Sequence, residues 1–261
     1  MSSSTTFNTI GLPFIHLNTV ESSNTFLLDK LRSNLAAHGT AVFADEQTAG
    51  KGQMGKVWKS EPCQNIILSL AIDVSFIPIN NQFCISVMVA LGCYKFFCKY
   101  AGEETTIKWP NDIYWRERKA GGILIETLNS KKWKMENGEW GKKRFAVVGI
   151  GININQTVFS EGVKNPVSLK QITGKQFNVV DLAKELCTCI NDEYVRLQND
   201  KQTQQLIELN KILFKQNETV KLKKEQVIFN CVIKGVNEYG KLLVQHSVYE
   251  SFNLHEVEWV I

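Results

Sequence analysis

The residues with the clearest capacity for chemistry lie in a glycine-rich segment, residues 50–58, which reads GKGQMGKVW. Glycine tolerates backbone conformations that a side chain forbids, so Gly50, Gly52 and Gly55 let the main chain approach a ligand closely. Successive backbone N–H groups in such a loop form a nest for anions, and Lys51 and Lys56 add positive charge. The segment therefore predicts a bound phosphate or carboxylate, and with it small-molecule chemistry.

Two familiar phosphate-binding motifs come close to this loop without fitting it. The spacing Gly50-x-Gly52-x-x-Gly55 matches the dinucleotide fingerprint, but that motif opens a helix. Here Pro62 and a following apolar strand-like run argue against a helix. The P-loop pattern fails because Val57 stands where serine or threonine would hold magnesium. On this motif alone, a mobile hairpin loop without a ligand stays open as the alternative.

A second candidate segment is KWPND, residues 108–112, between two predicted short strands. Pro110 stops strand pairing and projects Asn111 and Asp112 into a turn. A carboxylate beside a lysine can accept hydrogen bonds from an incoming amine, or it can coordinate Mg²⁺. Taken alone, the segment favours the simpler interpretation of a turn aspartate with a surface ion pair.

Two further glycine-marked segments carry polar side chains. In KAGGIL, residues 119–124, Lys119 supplies a point charge suited to phosphate or carboxylate. Gly121 and Gly122 then permit close approach of a flat or extended ligand. The strand-like run GIGININ, residues 149–155, ends in amides that can recognise adenine through paired donors and acceptors.

The elements that must position these residues form an α+β pattern. Ser22, Ser23 and Asn24 precede an apolar-periodic run, which predicts a helix N-cap, and a helix N-terminus can also bind polar ligand groups. Apolar periodicity predicts further helices at residues 83–98, 180–197 and 202–214. Strands are predicted at residues 41–47, 65–72, 106–108, 113–115, 123–126 and 145–152.

The C-terminal part of the chain has a different character. Four short β-type runs, with a turn at residues 237–240, predict a small all-β module after the mixed domain. The runs cover residues 219–222, 227–236, 241–245 and 257–261. We therefore expect a catalytic domain over residues 1–216, in which helices flank a mixed β-sheet, and a second domain over residues 217–261.

Composition narrows the classes of protein. The 261 residues are 44% hydrophobic and 21% charged, as in ordinary globular proteins. The formal charge of +4 forms no basic tract with interleaved aromatics, so no nucleic-acid partner is expected. Seven cysteines without a CxxC pair, and four histidines, argue against zinc and favour a reducing compartment. With no signal peptide and no apolar run judged long enough for a bilayer, we expect a cytoplasmic protein without a membrane partner.

Taken together and in this order, these segments resemble the motifs of the biotin protein ligases. KWPND is intact, KAGGIL matches the family's K-x-GGIL element, and VVGIGININ matches its GIGIN strand. Residues 22–24 match the Ser-Thr-Asn start, and Gln47 falls where a glutamine precedes the loop. The loop departs from the family, because Lys51, Gln53 and Met54 stand where arginines are usual. The resemblance covers nearly the whole chain.

The resemblance implies a biotin–[acetyl-CoA-carboxylase] ligase in a short form without an N-terminal DNA-binding domain, and a C-terminal module that is an SH3-like barrel. Biotin and ATP would give biotinyl-5′-AMP and pyrophosphate with Mg²⁺, whose ligands the sequence does not assign. The adenylate would then biotinylate a lysine of a biotin carboxyl carrier protein. A monomer or a homodimer is expected. A lipoate ligase, a non-catalytic biotin or adenylate sensor and a generic nucleotide-binding protein are the rival interpretations.

The resemblance also implies roles for individual residues. Lys51 and Lys119 would neutralise the charge of the reacting groups, and Asp112 would orient the acceptor amine. Trp58 would pack on the ligand when the loop orders, or otherwise anchor the hairpin. The implied ligand-binding positions are Ser22, Ser23, Asn24, Gln47, Gly50, Lys51, Gly52, Gln53, Gly55, Trp58, Lys108, Asn111, Lys119, Gly121, Gly122, Leu124, Gly151 and Asn153.

Overall fold

A seven-stranded mixed sheet forms the centre of the protein in a computed structural model that describes residues 9–134, 140–160 and 165–260. Its strands are β1 (Phe14–Val20), β2 (Ala41–Gln47), β3 (Asn65–Asp73), β4 (Thr105–Lys108), β5 (Asp112–Trp115), β6 (Arg118–Lys134) and β7 (Trp140–Asn153). The spatial order is β1-β2-β3-β7-β6-β5-β4. β1 runs parallel to β2, and the other neighbouring pairs are antiparallel.

Helices cover both faces of this sheet. They are α1 (Ser23–Arg32), α2 (Phe83–Ala101), α3 (Leu169–Thr173), α4 (Val179–Gln198) and α5 (Gln202–Lys211). Successive side chains of a strand point to opposite faces, so each strand contributes to two cores. On one face Val42, Ala71 and Val147 pack with Leu27 and Leu31 of α1. The opposite face packs against α2 and α4 in the larger hydrophobic core.

A second sheet, antiparallel throughout, follows α5. Its strands are β8 (Thr219–Lys224), β9 (Val227–Val236), β10 (Leu242–Gln245), β11 (Tyr249–Phe252) and β12 (Glu258–Trp259), in the order β11-β10-β9-β8-β12. Within the part of the chain that is described, the edge strands β11 and β12 do not pair with each other, so the expected barrel is open. Trp109 Nε1 donates to the Gly240 carbonyl (3.0 Å), and Trp259 Nε1 donates to the Trp109 carbonyl (3.2 Å). These two bonds fasten the small sheet to the KWPND segment.

The structure confirms the α+β class, the mixed sheet flanked by helices and the separate C-terminal β module. Sequence reasoning missed β1, α3 and β11, and it extended the last helix beyond Lys211. The boundary between residues 216 and 217 stays a prediction. β6 and β7 pair as far as residues 134 and 140, and residues 135–139 lie outside the described residues.

The expectation that no apolar run is long enough to span a bilayer was wrong. The segment Ile79–Ala101 meets the length and hydropathy requirement, with a mean hydropathy of 1.4. However, 61% of its most apolar stretch is buried inside the protein, which is also the pattern of a core helix.

A fully buried carboxylate joins three helices on the α2 side of the sheet. Glu193 of α4 is 0% exposed and accepts hydrogen bonds from Lys95 of α2 (2.5 Å) and Arg196 (2.8 Å). Gln205 of α5 donates to the same carboxylate at 2.8 Å. Since a buried charge is tolerated only when it is paired, this cluster fixes how α2, α4 and α5 meet.

Replacing this carboxylate should destabilise the protein strongly. We expect Glu193→Ala to lower the free energy of unfolding by about 3 kcal/mol, because it leaves its partners without their shared acceptor. Asp29→Ala is the matched control, since it breaks an exposed pair with Arg32, and it should cost at most about 1 kcal/mol. Urea unfolding followed by circular dichroism measures both. Equal losses in the two variants would contradict the assigned role of Glu193.

Candidate functional site

A strip of glycines forms the floor of the candidate site on the α1 side of the sheet. β7 places Gly151 opposite Gly122 of β6 and Gly149 opposite Leu124. In the next pairing, Gly122 lies opposite Asp112 of β5. Because residues two apart share a face, Gly149, Gly151 and Gly122 lie on one face and lead towards Asp112. Without side chains there, other groups can approach the backbone of the strip closely.

Neighbouring side chains already use the space above the strip. A Cβ atom on Gly149 would lie 2.5 Å from Asn24 Oδ1, and one on Gly151 would lie 2.4 Å from the indole ring of Trp58. Both distances are shorter than van der Waals contact allows. Glycine at these two positions is therefore required by the close approach of Asn24 and Trp58.

One end of the strip meets the N-terminus of α1, where several polar groups are buried. Ser22 begins the helix by accepting a hydrogen bond from the Thr25 N–H (3.5 Å), as a capping residue does. Gln47 Oε1 accepts from the Ser23 N–H (2.8 Å) and lies 3.0 Å from the Ser23 hydroxyl. Ser22, Ser23 and Asn24 are each at most 4% exposed. This end of the strip therefore offers hydroxyl and amide groups shielded from water.

Two residues that sequence reasoning missed complete this polar end. Ser69 of β3 donates to Asn24 Oδ1 (2.6 Å), and Asn24 Nδ2 donates to Glu126 of β6 (2.9 Å). The available signals were a serine inside the apolar run of β3 and a glutamate that ends the run GGILIE. Neither signal indicates that the residue pairs with Asn24, so the sequence alone did not distinguish these residues from ordinary strand positions.

An ion pair forms the other end of the strip. Lys119 Nζ lies 2.6 Å from Asp112 Oδ1, and the two side chains are 29% and 20% exposed. A Cβ on Gly122 would lie 3.4 Å from Asp112 Oδ1 and 3.6 Å from Lys119 Nζ. The pair therefore lies directly over Gly122 and is largely shielded from solvent. There the two predicted catalytic groups can act on the same ligand atoms.

The glycine-rich loop folds into a small hairpin beside the floor. Its base is held by bonds from the Trp58 N–H to the Gly50 carbonyl (3.0 Å) and from the Gly52 N–H to the Lys56 carbonyl (2.7 Å). Met54, at the tip, has φ = 57°, a left-handed conformation that an L-residue adopts at a cost. The side chain of Lys51 and the residues at the tip of the hairpin are exposed, whereas Gly50 is buried. The loop thus places the Trp58 ring against Gly151 and leaves the Lys51 side chain exposed.

Lys108 lies among aromatic rings from both sheets and the ring of Phe214, which follows α5. Its Nζ is 4.8 Å from the ring centre of Tyr114, 5.2 Å from that of Trp259 and 5.9 Å from that of Phe214. Burial, and secondly the charge of Asp112, raise the pKa of Tyr114 to about 12, so its hydroxyl stays protonated beside Lys108 Nζ (3.2 Å). Cation–π contacts of this kind stabilise a lysine in a partly dry site. These contacts therefore hold Lys108, the first residue of KWPND, in place.

Three other predicted positions hold the backbone of the site together. Asn111 Nδ2 donates to the Ile123 carbonyl (2.7 Å), and Asn153 Nδ2 donates to the Val167 carbonyl (3.1 Å). A Cβ on Gly121 would lie 2.6 Å from the Gly151 carbonyl, on the face opposite the strip. These contacts stabilise strands and turns, and they do not test whether the same residues touch a ligand.

The arrangement suits one kind of ligand. An extended molecule on the glycine strip would have a polar group at the α1 end and an anionic group near Lys119. Its middle would contact Leu124, which lies on the same face as Gly122, and the ring of Trp58. Of the predicted positions, the structure brings Ser22, Ser23, Asn24, Gln47, Gly50, Trp58, Asp112, Lys119, Gly122, Leu124 and Gly151 to this strip or its ends.

Comparisons with known proteins find similar sequences. Residues 17–136 match the model of the biotin/lipoate A/B protein ligase family. The bifunctional ligase/repressor BirA of Bacillus spizizenii is 33% identical over 168 residues, which is 63% of this chain and 49% of that protein. The biotin–[acetyl-CoA-carboxylase] ligase of Mycobacterium tuberculosis is 30% identical over 138 residues, 52% of this chain and 47% of that protein. The chain thus spans about half the length of the curated relatives it matches.

The same similarity extends to the fold. The solved structure of a biotin protein ligase from Aquifex aeolicus in complex with biotin and ATP superposes with a TM-score of 0.74 at 23% identity. The superposition covers 94% of this chain and 97% of that one. Residues 17–136 are thus similar in sequence to the biotin/lipoate A/B protein ligase family, and the chain shares the fold of a solved biotin protein ligase.

Proposed function

We propose that the protein is a biotin protein ligase, which activates biotin with ATP and transfers it to a lysine of a carrier protein. The observation that carries the proposal is the Lys119–Asp112 pair at the end of a glycine strip whose other end is a buried polar pocket. Biotin has the matching shape, with a polar ureido ring, an apolar chain and a terminal carboxylate. Ser22, Ser23 and Gln47 are the groups that would bind the ring.

The first half-reaction brings two anions together. An oxygen of the biotin carboxylate attacks the α-phosphorus of ATP, the bond to the β-phosphate oxygen breaks, and pyrophosphate leaves. Lys119 is the cation at the strip, and Lys51 is the exposed cation on the adjacent loop. Their charges would offset the repulsion and stabilise the charge that develops on the phosphorus oxygens, an effect that is strong where water is excluded.

The second half-reaction needs a neutral amine. The acceptor lysine nitrogen attacks the carbonyl carbon of biotinyl-5′-AMP, the carbon–oxygen bond to AMP breaks, and the amine loses a proton. Only roughly one lysine in a few thousand is neutral at pH 7, because its ordinary pKa is about 10.4. Asp112 would accept a hydrogen bond from the amine, orient it and take up the proton.

Magnesium fits this site as an ion delivered with ATP. Among the described residues, no group of three or more His, Cys, Asp or Glu side chains is arranged to hold a metal. Mg²⁺ ordinarily keeps several waters and binds substrate phosphates together with one or two carboxylates. Asp112 would supply such a carboxylate, and the ion would neutralise the phosphates of ATP.

The acceptor of the reaction would be a biotin carboxyl carrier protein, in the cytoplasm. This assignment rests on the ligase family, whose reaction requires an acceptor lysine. Within the described residues β1 is an edge strand of the large sheet, which is the kind of surface through which two copies could pair into a homodimer. We include a monomer or a homodimer, and no nucleic-acid partner, in the proposal.

The experiment that tests the proposal is pyrophosphate release by the purified protein with ATP, Mg²⁺ and biotin, with lipoate in a parallel reaction. We expect pyrophosphate release in the reaction with biotin and not in the reaction with lipoate. Biotin should then be transferred when a carrier domain is added. Release with lipoate but not with biotin would assign the protein to lipoate activation. Biotin binding without release would identify a sensor instead of an enzyme.

Lys119→Met should reduce adenylation without changing the fold. The substitution keeps the length of the side chain and removes the charge that would stabilise the developing oxyanion. We expect biotin-dependent pyrophosphate release to slow by about a hundredfold or more. Lys175→Met removes an exposed lysine after α3 and serves as the control, with a wild-type rate. An unaltered rate for Lys119→Met would remove Lys119 from the mechanism.

Asp112→Asn should slow the second step more than the first. Asparagine preserves the shape of the side chain but cannot take up the proton of the acceptor amine. We expect single-turnover transfer from preformed adenylate to fall by about a hundredfold or more, while pyrophosphate release falls less. The two rates are measured separately on the same preparation. Transfer at the wild-type rate would contradict the proposed role of Asp112.

Ligands should protect the glycine-rich loop from trypsin. The side chains of Lys51 and Lys56 are exposed in the structure, and closure of the loop over the adenylate would shield both peptide bonds and exclude water. We expect biotin plus ATP to slow cleavage at these lysines several-fold, as measured by mass spectrometry. Cleavage after the exposed Lys201, between α4 and α5, is the internal control and should not change.

A further inference from the structure

The donors and acceptors at the α1 end of the strip form one continuous chain of hydrogen bonds. It runs from Glu126 through Asn24, Ser69 and Ser23 to Gln47, with neighbouring polar atoms 2.6–3.0 Å apart. It connects α1, β2, β3 and β6. In a chain of this kind, the hydrogen of each hydroxyl is available to one acceptor only, so a fixed group at one end determines the direction of the other bonds.

Glu126 is that fixed group. An ionised carboxylate has lone pairs and no hydrogen, so Asn24 must turn its NH₂ group towards Glu126, at 2.9 Å. The Asn24 carbonyl oxygen then faces Ser69, and the Ser69 hydroxyl must give it the hydrogen of the 2.6 Å bond. The orientation of an amide, which could otherwise be reversed, is in this way set by one negative charge.

The direction is passed on to Ser23. The hydroxyl oxygens of Ser69 and Ser23 are 2.8 Å apart, and Ser69 has already given its hydrogen to Asn24. The Ser23 hydroxyl is also 3.0 Å from Gln47 Oε1, which can only accept. Whichever neighbour receives it, the hydrogen of Ser23 is used inside the protein. Ser23 is left with lone pairs, and it therefore faces a ligand as an acceptor.

Gln47 is oriented by the same logic. The Ser23 backbone N–H can only donate, so the Gln47 carbonyl oxygen faces it at 2.8 Å. The Gln47 NH₂ group then points to the base of the loop, where it lies 3.0 Å from the position that a Cβ on Gly50 would take. The pocket thus presents an acceptor at Ser23 and a donor at Gln47. This pattern is complementary to a cyclic urea, which has N–H donors beside a carbonyl acceptor.

We propose that Glu126 is a positioning residue that sets the donor and acceptor pattern for the ureido ring, an inference that rests on the proposed biotin-binding function. Glu126 acts through Asn24 and Ser69, and it selects ligands that offer an N–H to Ser23. The groups that would touch the ligand are Ser23 and Gln47. A site selective by hydrogen bonding rejects analogues that lack the matching group, because a buried polar atom is left unpaired.

Glu126→Gln tests the proposal with almost no change in shape. Glutamine can donate as well as accept, so the Asn24 amide can reverse and Ser69 can donate to Ser23. The Ser69 hydrogen then occupies a Ser23 lone pair that would otherwise accept from the ligand. The probes are biotin and its two cyclic-carbamate analogues, in each of which oxygen replaces one ureido N–H. Isothermal titration calorimetry gives the dissociation constants for the wild-type protein and the variant.

We expect the wild-type protein to prefer biotin strongly over at least one carbamate, and Glu126→Gln to reduce that preference about tenfold or more, equivalent to about 1.4 kcal/mol. Ser69→Ala leaves Gln47 to receive the Ser23 hydrogen and removes the hydroxyl that could occupy a Ser23 lone pair, so it should retain the preference. Glu104→Gln removes a carboxylate from an exposed ion pair with Arg116, and it should leave the preference unchanged. Thermal unfolding of each variant checks that the fold is retained.

The ratio of affinities separates a positioning role from a merely structural one. If Glu126→Gln weakens biotin and both carbamates by the same factor, the preference is unchanged and the inference is overturned, while the proposed function stands. If the wild-type protein binds biotin but does not discriminate against either carbamate, the inference is likewise overturned. If the wild-type protein binds no biotin, the proposed function fails, and the inference fails with it.

Discussion

The pairing of β7 between β3 and β6 is the constraint on which the candidate site depends. It brings Gly149, Gly151 and Gly122 onto one face of the sheet and sets Ser69 opposite Gly149. A shift of one residue in this register would turn every side chain of the strand to the other face. The larger core on the far side fixes the register, since alternate residues of β7 such as Ile150 and Ile152 are buried there.

The site therefore derives its precision from backbone geometry. Leucines of α1 cover one half of the sheet face that carries the glycines, and the helix begins beside Gly149. The other half is bounded by polar groups at one end and by the Lys119–Asp112 pair at the other. Positioning by strands leaves little freedom for either end to move, which is a requirement for groups that act on a single ligand.

Much of this could be predicted from the sequence, and what could not has a physical explanation. Lys119 and Asp112 are only seven positions apart on adjacent strands, so their pairing follows from a short hairpin. Ser69 and Glu126 are 45 and 102 positions from Asn24, and nothing local indicates such partners. β1 was missed because its partner β2 pairs with it in parallel, across an intervening helix, so that no short turn between the two strands indicates the pairing.

Lys108 is a predicted ligand-binding position, which stays a prediction, and its contacts in the structure connect the two sheets. The rings of Phe214 and Trp259 reach it from far along the chain, and Trp109 exchanges hydrogen bonds with the same region. For protein engineering, this means that the C-terminal sheet is not an interchangeable attachment. A chimera that replaced it would have to reproduce the aromatic surface around Lys108. Otherwise the turn that carries Asp112 would lose the contacts that hold it in place.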